Sequence, residues 1–184
     1  PTRNWENFMS DVDAELKKIT DLAAPEPLQR LPKYCDHTSV GVLIFNKAGE
    51  LLLIDRGTFP FGMAPPAGHV DEHGSYEQAA IDEVREEVGL EVLDLELVAE
   101  GRVENPCRRV NGTWHYWKVY RATADGELNL SPRETRGAEW CDVPRLRELG
   151  ALGVSEESEH LESVWKYWLN KVYATQGESN GHSR

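Results

Sequence analysis

Cysteine is scarce in this chain: there are three in 184 residues, Cys35, Cys107 and Cys141, with no CxxC spacing among them. An odd, scattered set fits a reducing cytoplasm rather than a disulfide scaffold. Long apolar runs are missing too. The longest, residues 40–45 and 51–54, are strand-sized, whereas a membrane-spanning helix needs about 20 apolar residues. Residues 1–6 lack the basic-then-apolar order of a signal peptide. Positive charge is also in deficit, with 20 Lys and Arg against 32 Asp and Glu and a formal net charge of −12. Such a surface repels polyanions, so neither general nucleic-acid binding nor an anionic membrane partner is expected. A phosphate-rich small molecule would also be repelled unless cations bridge it to the protein.

What is present suffices for one ordinary domain, since 40% of the residues are hydrophobic. Trp5, Phe8, Met9, Val12, Leu16 and Ile19 recur at helical spacing and predict an amphipathic helix over residues 4–23. Pro25, Pro27 and Pro32 break it into a linker. Two strands follow, over 40–45 and 51–54, with Asn46 to Gly49 as a hairpin turn. Ser75 starts a helix, with Gln78 in capping-box position and Gly89 placed to end it. Strands are predicted over 93–103, 113–122 and 138–143, and helices over 144–149 and 156–173. The polar tail from Thr175 carries too little apolar surface to order itself. The expected divisions are an N-terminal helix and linker (1–33), a main domain (34–174) and a tail (175–184). The alternation of elements argues for an α/β or α+β fold with a mixed sheet between helices.

The chemistry concentrates in residues 68–90. On a helical wheel Ala80, Ile81, Val84 and Val88 form a core face, while Glu83, Glu86 and Glu87 gather on an adjacent side. Three aligned carboxylates can be a solvated face, but no matching comb of lysines accompanies them. A hard divalent cation would relieve their repulsion, and carboxylate oxygens are the donors that magnesium and manganese prefer. Such cations also bind phosphate oxygens, which resolves the charge problem.

This segment resembles the Nudix box, G-x5-E-x7-R-E-U-x-E-E-x-G-U with U a bulky aliphatic residue. Gly68, Glu83, Val84, Glu86, Glu87, Gly89 and Leu90 match it in place. The resemblance implies an α/β/α sandwich, here with added N-terminal and C-terminal helices. It also implies a Mg2+- or Mn2+-dependent hydrolase that cleaves a diphosphate linkage in a nucleoside diphosphate joined to a further group X. Glu83, Glu86, Glu87 and the Gly68 carbonyl would be metal ligands. Glu83 or a later loop acid, with Glu134 as the candidate, would take a proton from water; Glu134 reads equally well as a surface residue. There are two departures: Gly74 stands where the family has a glutamate, and Asp82 where it has an arginine. Arg85 could pair with Asp82, and Asp71 or Glu72 could replace the missing carboxylate. Restoring arginine at position 82 is expected to leave activity unchanged or raise it.

Substrate selection should lie outside the box. Phe59, Phe61 and Met63 could form an apolar wall, with Arg56 just before them. Arg108 and Arg109 could grip a phosphate, and His115 or Trp117 could contact a base or sugar. The alternation of residues 114–119 also suits a half-buried strand, which favours core packing for His115 and Trp117. Cys35, His37, Cys107 and His115 match no familiar zinc spacing, so no zinc site is expected. Trp165, Trp168, Leu169 and Val172 predict a helix docked on the domain, and the terminal helices leave a homodimer open. A binding or regulatory module of weak or no activity is the alternative to an enzyme, favoured by Gly74 and Asp82 and opposed by the three retained glutamates. An isomerase on the same scaffold lacks a distinct Cys and Glu signature.

Overall fold

The computed structural model describes residues 12, 13, 17, 32–152 and 160–179, with side chains as far as residue 174. Two compact units divide the chain, Pro1–Pro32 and Lys33–Arg184. In the first, Val12, Asp13 and Lys17 are helical; the rest of the helix expected over 4–23 lies outside the described residues. No described helix is long and apolar enough to cross a membrane.

The second unit contains two sheets. One is mixed, ordered β4 (Ala67–Gly68), β1 (Thr38–Ile44), β6 (His115–Asp125) and β5 (Glu91–Val103), with β1 and β6 parallel and the other pairs antiparallel. The other is antiparallel, ordered β3 (Met63–Ala64), β2 (Leu51–Arg56) and β7 (Thr135–Cys141). Among the described residues, three helices complete it: α1 (Tyr76–Val88), α2 (Val143–Glu148) and α3 (Ser163–Ser179). The expected β1–β2 hairpin is only a turn. Gly49 N–H donates to the Asn46 carbonyl at 3.0 Å and Phe45 bridges Leu51, but beyond that bridge the strands enter different sheets.

Alternation along β1 and β2 builds a core on each face. Val40, Val42, Ile44, Leu52 and Ile54 pack with Ala79, Ala80, Val84 and Val88 of α1. Leu43, Leu51 and Leu53 turn the other way, into a cluster with Trp165, Trp168 and Leu169 of α3. Strands buried on both faces between helices read as near-continuous apolar runs, as these do. Ala79, not Ile81, completes the core face of α1, because Ile81 lies at its edge and is half-buried. Helix α3 continues to Ser179, past the boundary expected at residue 174; residues 180–184 lie outside the described set.

Gly41 marks where β1 and α3 meet. A Cβ there would lie 2.1 Å from Cη2 of Trp165, so the indole occupies the space a side chain would take. We expect Gly41→Ala to cost about 1–3 kcal/mol, as overpacking does, read as a lower midpoint in denaturant unfolding. Wild-type stability of that variant would contradict the packing of α3 against β1.

Candidate active site

Helix α1 positions the carboxylates. At its start the Ser75 side chain accepts a hydrogen bond from Gln78 N–H at 3.1 Å, a cap worth about 1 kcal/mol. At its end Gly89 adopts the left-handed conformation (φ 73°) and its N–H donates to the Arg85 carbonyl, an ending that favours glycine. Between these caps Glu83, Glu86 and Glu87 face a cleft of about 200 Å³ that Gly68 and Glu134 also line. All five residues expected to form the catalytic and metal-binding group therefore share one cleft.

Their environments differ. Glu83 lies against the main chain of Gly68, where a Cβ would fall 1.6 Å from Glu83 Oε1. The absence of a Cβ at Gly68 admits this close approach, and any larger residue would push the Glu83 carboxylate aside. Burial pushes the Glu83 carboxyl up to about 8, and the nearby charges of Glu87, Glu134 and Glu86 add to the effect. Glu87 is deeper still, only 3% exposed, and its Oε2 accepts the Ala67 N–H at 2.9 Å. Burial raises it to about 7, with Arg56 opposing the rise. Glu86 is exposed and Glu134 half-buried. Crowded, partly desolvated carboxylates with a glycine main chain alongside form an oxygen-rich cradle, which fits a hard cation such as Mg2+ or Mn2+ better than a soft one.

The expected substrate residues divide. Phe59 and Arg108 line the cleft, and Arg108 lies 3.8 Å from Glu134. Arg56 also lines it, but its guanidinium faces Glu162 at 3.6 Å and donates to the Pro60 carbonyl. It balances the buried acids Glu87 and Glu162, the latter raised to about 7 by burial. Arg109 lines the cleft as well, yet it is clamped to Asp71 by two hydrogen bonds of 2.5 and 2.6 Å. Lys33 joins the same carboxylate at 2.7 Å. That bonding holds Asp71 well below the usual carboxylate range, and it leaves neither Arg109 a free phosphate grip nor Asp71 a free loop acid. Glu72 is exposed and does not line the cleft.

Phe61 meets the cleft-lining Phe59 edge-to-face, ring centroids 6.3 Å apart, but itself lines a neighbouring pocket with Arg136, Arg145 and Met63 of β3. His115 and Trp117 are 1% and 5% exposed. Both face Asn105, whose Oδ1 lies 3.1 Å from His115 Nδ1 and accepts the Trp117 indole N–H at 3.1 Å. They border a narrow crevice behind Gly68 rather than the carboxylate cleft, because the inward face of β6 carries them into the core.

The two departures from the box have local causes. Gly74 has φ +86°, and the space where a Cβ would point is open, so a glutamate there would have room but a strained backbone. Asp82 accepts from Gln78 Nε2 at 3.1 Å, contacts Arg85, and lies 2.9 Å from His73 Nδ1. These hydrogen bonds, that of Gln78 foremost, lower its carboxyl. Arg85 therefore meets Asp82 as the spacing suggested, and His73, which lines the cleft, is brought in as well. Sequence reasoning missed His73, Glu162 and Asn105, since each meets its partner through a loop or across the fold rather than at a helix or strand repeat. These contacts also revise the expectation for position 82. An arginine there would face Arg85 and His73, so we expect Asp82→Arg to lower turnover and Asp82→Asn to preserve more of it, compared in steady-state assays. Equal or higher turnover for the arginine variant would contradict this network.

The raised carboxyls have a consequence for stability. Glu83 and Glu87, at about 8 and about 7, sit above the ordinary carboxylate value of 4.5, so between these pH values the folded protein holds more protons than the unfolded chain. The stability they contribute is fully present below pH 4.5 and is lost as pH rises through 7 to 8. In EDTA, Tm should fall across that window, and Mg2+ or Mn2+ should restore it most at the alkaline end. A Tm that is flat across the window, with and without cation, would contradict the burial of these groups.

The NUDIX domain family model matches residues 36–161. No curated protein matches the chain. Solved structures show the same fold. A MutT protein from Methanosarcina mazei superposes with TM-score 0.61 at 20% identity, covering 79% of this chain and 97% of its own. A dihydroneopterin triphosphate pyrophosphohydrolase from E. coli gives 0.56 at 17% identity, covering 78% and 96%. An Ap4A hydrolase from C. elegans gives 0.52 at 22% identity, covering 77% and 99%. With the box helix, its carboxylate cleft and the family match over most of its length, the chain belongs to the Nudix family, as a Nudix-type hydrolase.

Proposed function

We propose that the protein is a Mg2+- or Mn2+-dependent pyrophosphohydrolase acting on a nucleoside diphosphate linked to a further group X. The observation that carries this reading is the packing of half-buried Glu83 against Gly68 and of buried Glu87 on the Ala67 N–H, in one cleft with Glu86 and Glu134. Glu83, Glu86, Glu87 and the Gly68 carbonyl would hold the cation, which when bound neutralises the diphosphate and acidifies a water. The remaining work falls to the chain. Glu134 reaches the cleft from outside the helix and is half-exposed, which suits it to accept a proton from the attacking water. Arg108, with its side chain 59% exposed, can reach a phosphate at the rim, and Phe59 offers an aromatic surface there. Arg56 keeps Glu87 and Glu162 together, while Arg109 and Asp71 brace the loops.

With a net charge of −12, recognition of a phosphate-rich substrate depends on bridging cations and a few placed arginines. The related structures carry names that point to nucleotide and pterin phosphates for those proteins, and the same class is proposed here. Cysteines that form no disulfide, Cys35, Cys107 and Cys141, support a cytoplasmic setting. A second reading, a binding module of low turnover, draws on the left-handed glycine at position 74 and on the acid at position 82.

The test is product analysis on nucleoside triphosphates, nucleotide sugars, ADP-ribose and dinucleoside polyphosphates, with Mg2+ or Mn2+ and an EDTA control. Metal-dependent turnover of one class supports the enzyme. Tight binding without turnover of any compound supports the module instead. Glu86→Gln should lower kcat by about 10²–10⁴-fold, the range expected when charge stabilisation or acid–base assistance is removed, with an unchanged circular dichroism spectrum. Near-wild-type kcat would remove Glu86 from the site.

A further inference from the structure

We propose that Cys35, His69, Cys107 and His115 form a tetrahedral zinc site that fastens three loops beside the cleft. The four donor atoms all lie within 4.8 Å of one another. Cys35 Sγ is 3.1 Å from His115 Nε2 and 3.5 Å from His69 Nε2. Tetrahedral zinc, with bonds of about 2.3 Å to sulfur and about 2.0–2.1 Å to nitrogen, sets its donors roughly 3.3–3.8 Å apart. Shifts of up to about 1 Å, closing the widest pairs and opening the 3.1 Å pair, would meet that geometry. Two sulfurs and two imidazoles suit zinc, whereas the oxygen donors of the carboxylate cleft suit magnesium or manganese. The site is thus chemically distinct from the cleft, and it does not rest on the hydrolase reading.

The surroundings are arranged for metal ligation. The Trp117 indole N–H can only donate, so the Asn105 atom it meets at 3.1 Å is the carbonyl oxygen. The same oxygen lies 3.1 Å from His115 Nδ1, which must therefore carry the ring proton. That leaves the Nε2 lone pair of His115 directed at the cluster, the way outer partners commonly orient ligating histidines. Each sulfur also accepts a peptide N–H from two residues ahead: His37 N–H reaches Cys35 at 3.3 Å and Arg109 N–H reaches Cys107 at 3.4 Å. Such bonds stabilise thiolates. Around Cys107 the chain turns back on itself, with Cys107 N–H donating to the Gly112 carbonyl at 2.8 Å. A Cβ at Gly112 would lie 2.1 Å from Cys107 Sγ, so glycine admits the sulfur.

His37, grouped with these cysteines by sequence, is not part of the cluster. It stacks on Trp114 with ring centroids 4.3 Å apart, its Nδ1 2.9 Å from the Trp114 carbonyl. His69 stands in its place. No short motif reveals the set, because the four donors come from the segment before β1, the residue after β4, the β5–β6 loop and the start of β6. His69 directly follows Gly68, and Cys107 precedes Arg108 and Arg109. A metal here would fix the Gly68 main chain and the arginine-bearing loop in place.

The test is metal analysis of the full chain, produced without a polyhistidine tag and passed through gel filtration in Mg2+ buffer. We expect about one zinc per chain. Replacement by cobalt should give a thiolate-to-cobalt charge-transfer band and the intense visible bands of a tetrahedral centre, a readout that needs no variant. Cys107→Ser should abolish both signals, whereas Glu86→Gln should keep them. The proposal is overturned by a native Cys35–Cys107 disulfide, by metal-free protein that takes up no cobalt into a thiolate site, or by zinc lost in Glu86→Gln and retained in Cys107→Ser.

Discussion

The arrangement turns on one constraint: two neighbouring carboxyl groups are drawn away from water, Glu83 half-buried against the Gly68 main chain and Glu87 buried beside Ala67. Exposed like charges one helical turn apart cost only about 0.2–0.5 kcal/mol, which a capped helix tolerates. Burial changes the scale, and it is the largest cause of the raised carboxyls at both positions. The surrounding structure answers that cost. Ala67 donates its N–H to Glu87, Arg56 faces Glu87 and Glu162, and the absence of a Cβ at Gly68 leaves room for Glu83. Helix α1 is fixed in position to impose this because its adjoining face is locked into the core by Ala79, Ala80, Val84 and Val88.

The departures at Gly74 and Asp82 shift charge around this centre rather than away from it. The family arginine would lie on α1; here its position carries an acid that gathers Gln78, Arg85 and His73. His73 lines the cleft, so a titratable side chain stands near the place a fixed cation would serve. The missing loop glutamate has no free substitute in Asp71, which is committed to Arg109 and Lys33. A carboxylate moved from position 74 to position 82, with His73 beside it, distinguishes this cleft from the box pattern.

The parts legible in the sequence are those encoded locally. The box helix, its caps, and the apolar runs of β1 and β2 depend on residues within a few positions of one another, so periodicity finds them. Strand alternation likewise argued for burying His115 and Trp117, and both lie in the core. Contacts between distant segments were not legible. Arg109 and Asp71 are adjacent only after folding, and so are Arg56 and Glu162, or Cys35, His69 and His115. Phe61 illustrates the complementary limit: a loop aromatic near a site in sequence can meet it only through a neighbour, here Phe59, while lining a separate pocket with Arg136 and Arg145.

The most direct measurement of the central claim is a crystal structure of the protein with Mn2+ and a non-hydrolysable diphosphate analogue, with data collected at the manganese absorption edge. The account predicts anomalous density in contact with Glu83, Glu86, Glu87 and the Gly68 carbonyl, bridged to phosphate oxygens. Manganese and phosphate bound elsewhere, with Glu83 and Glu87 remaining protonated and metal-free, would contradict it.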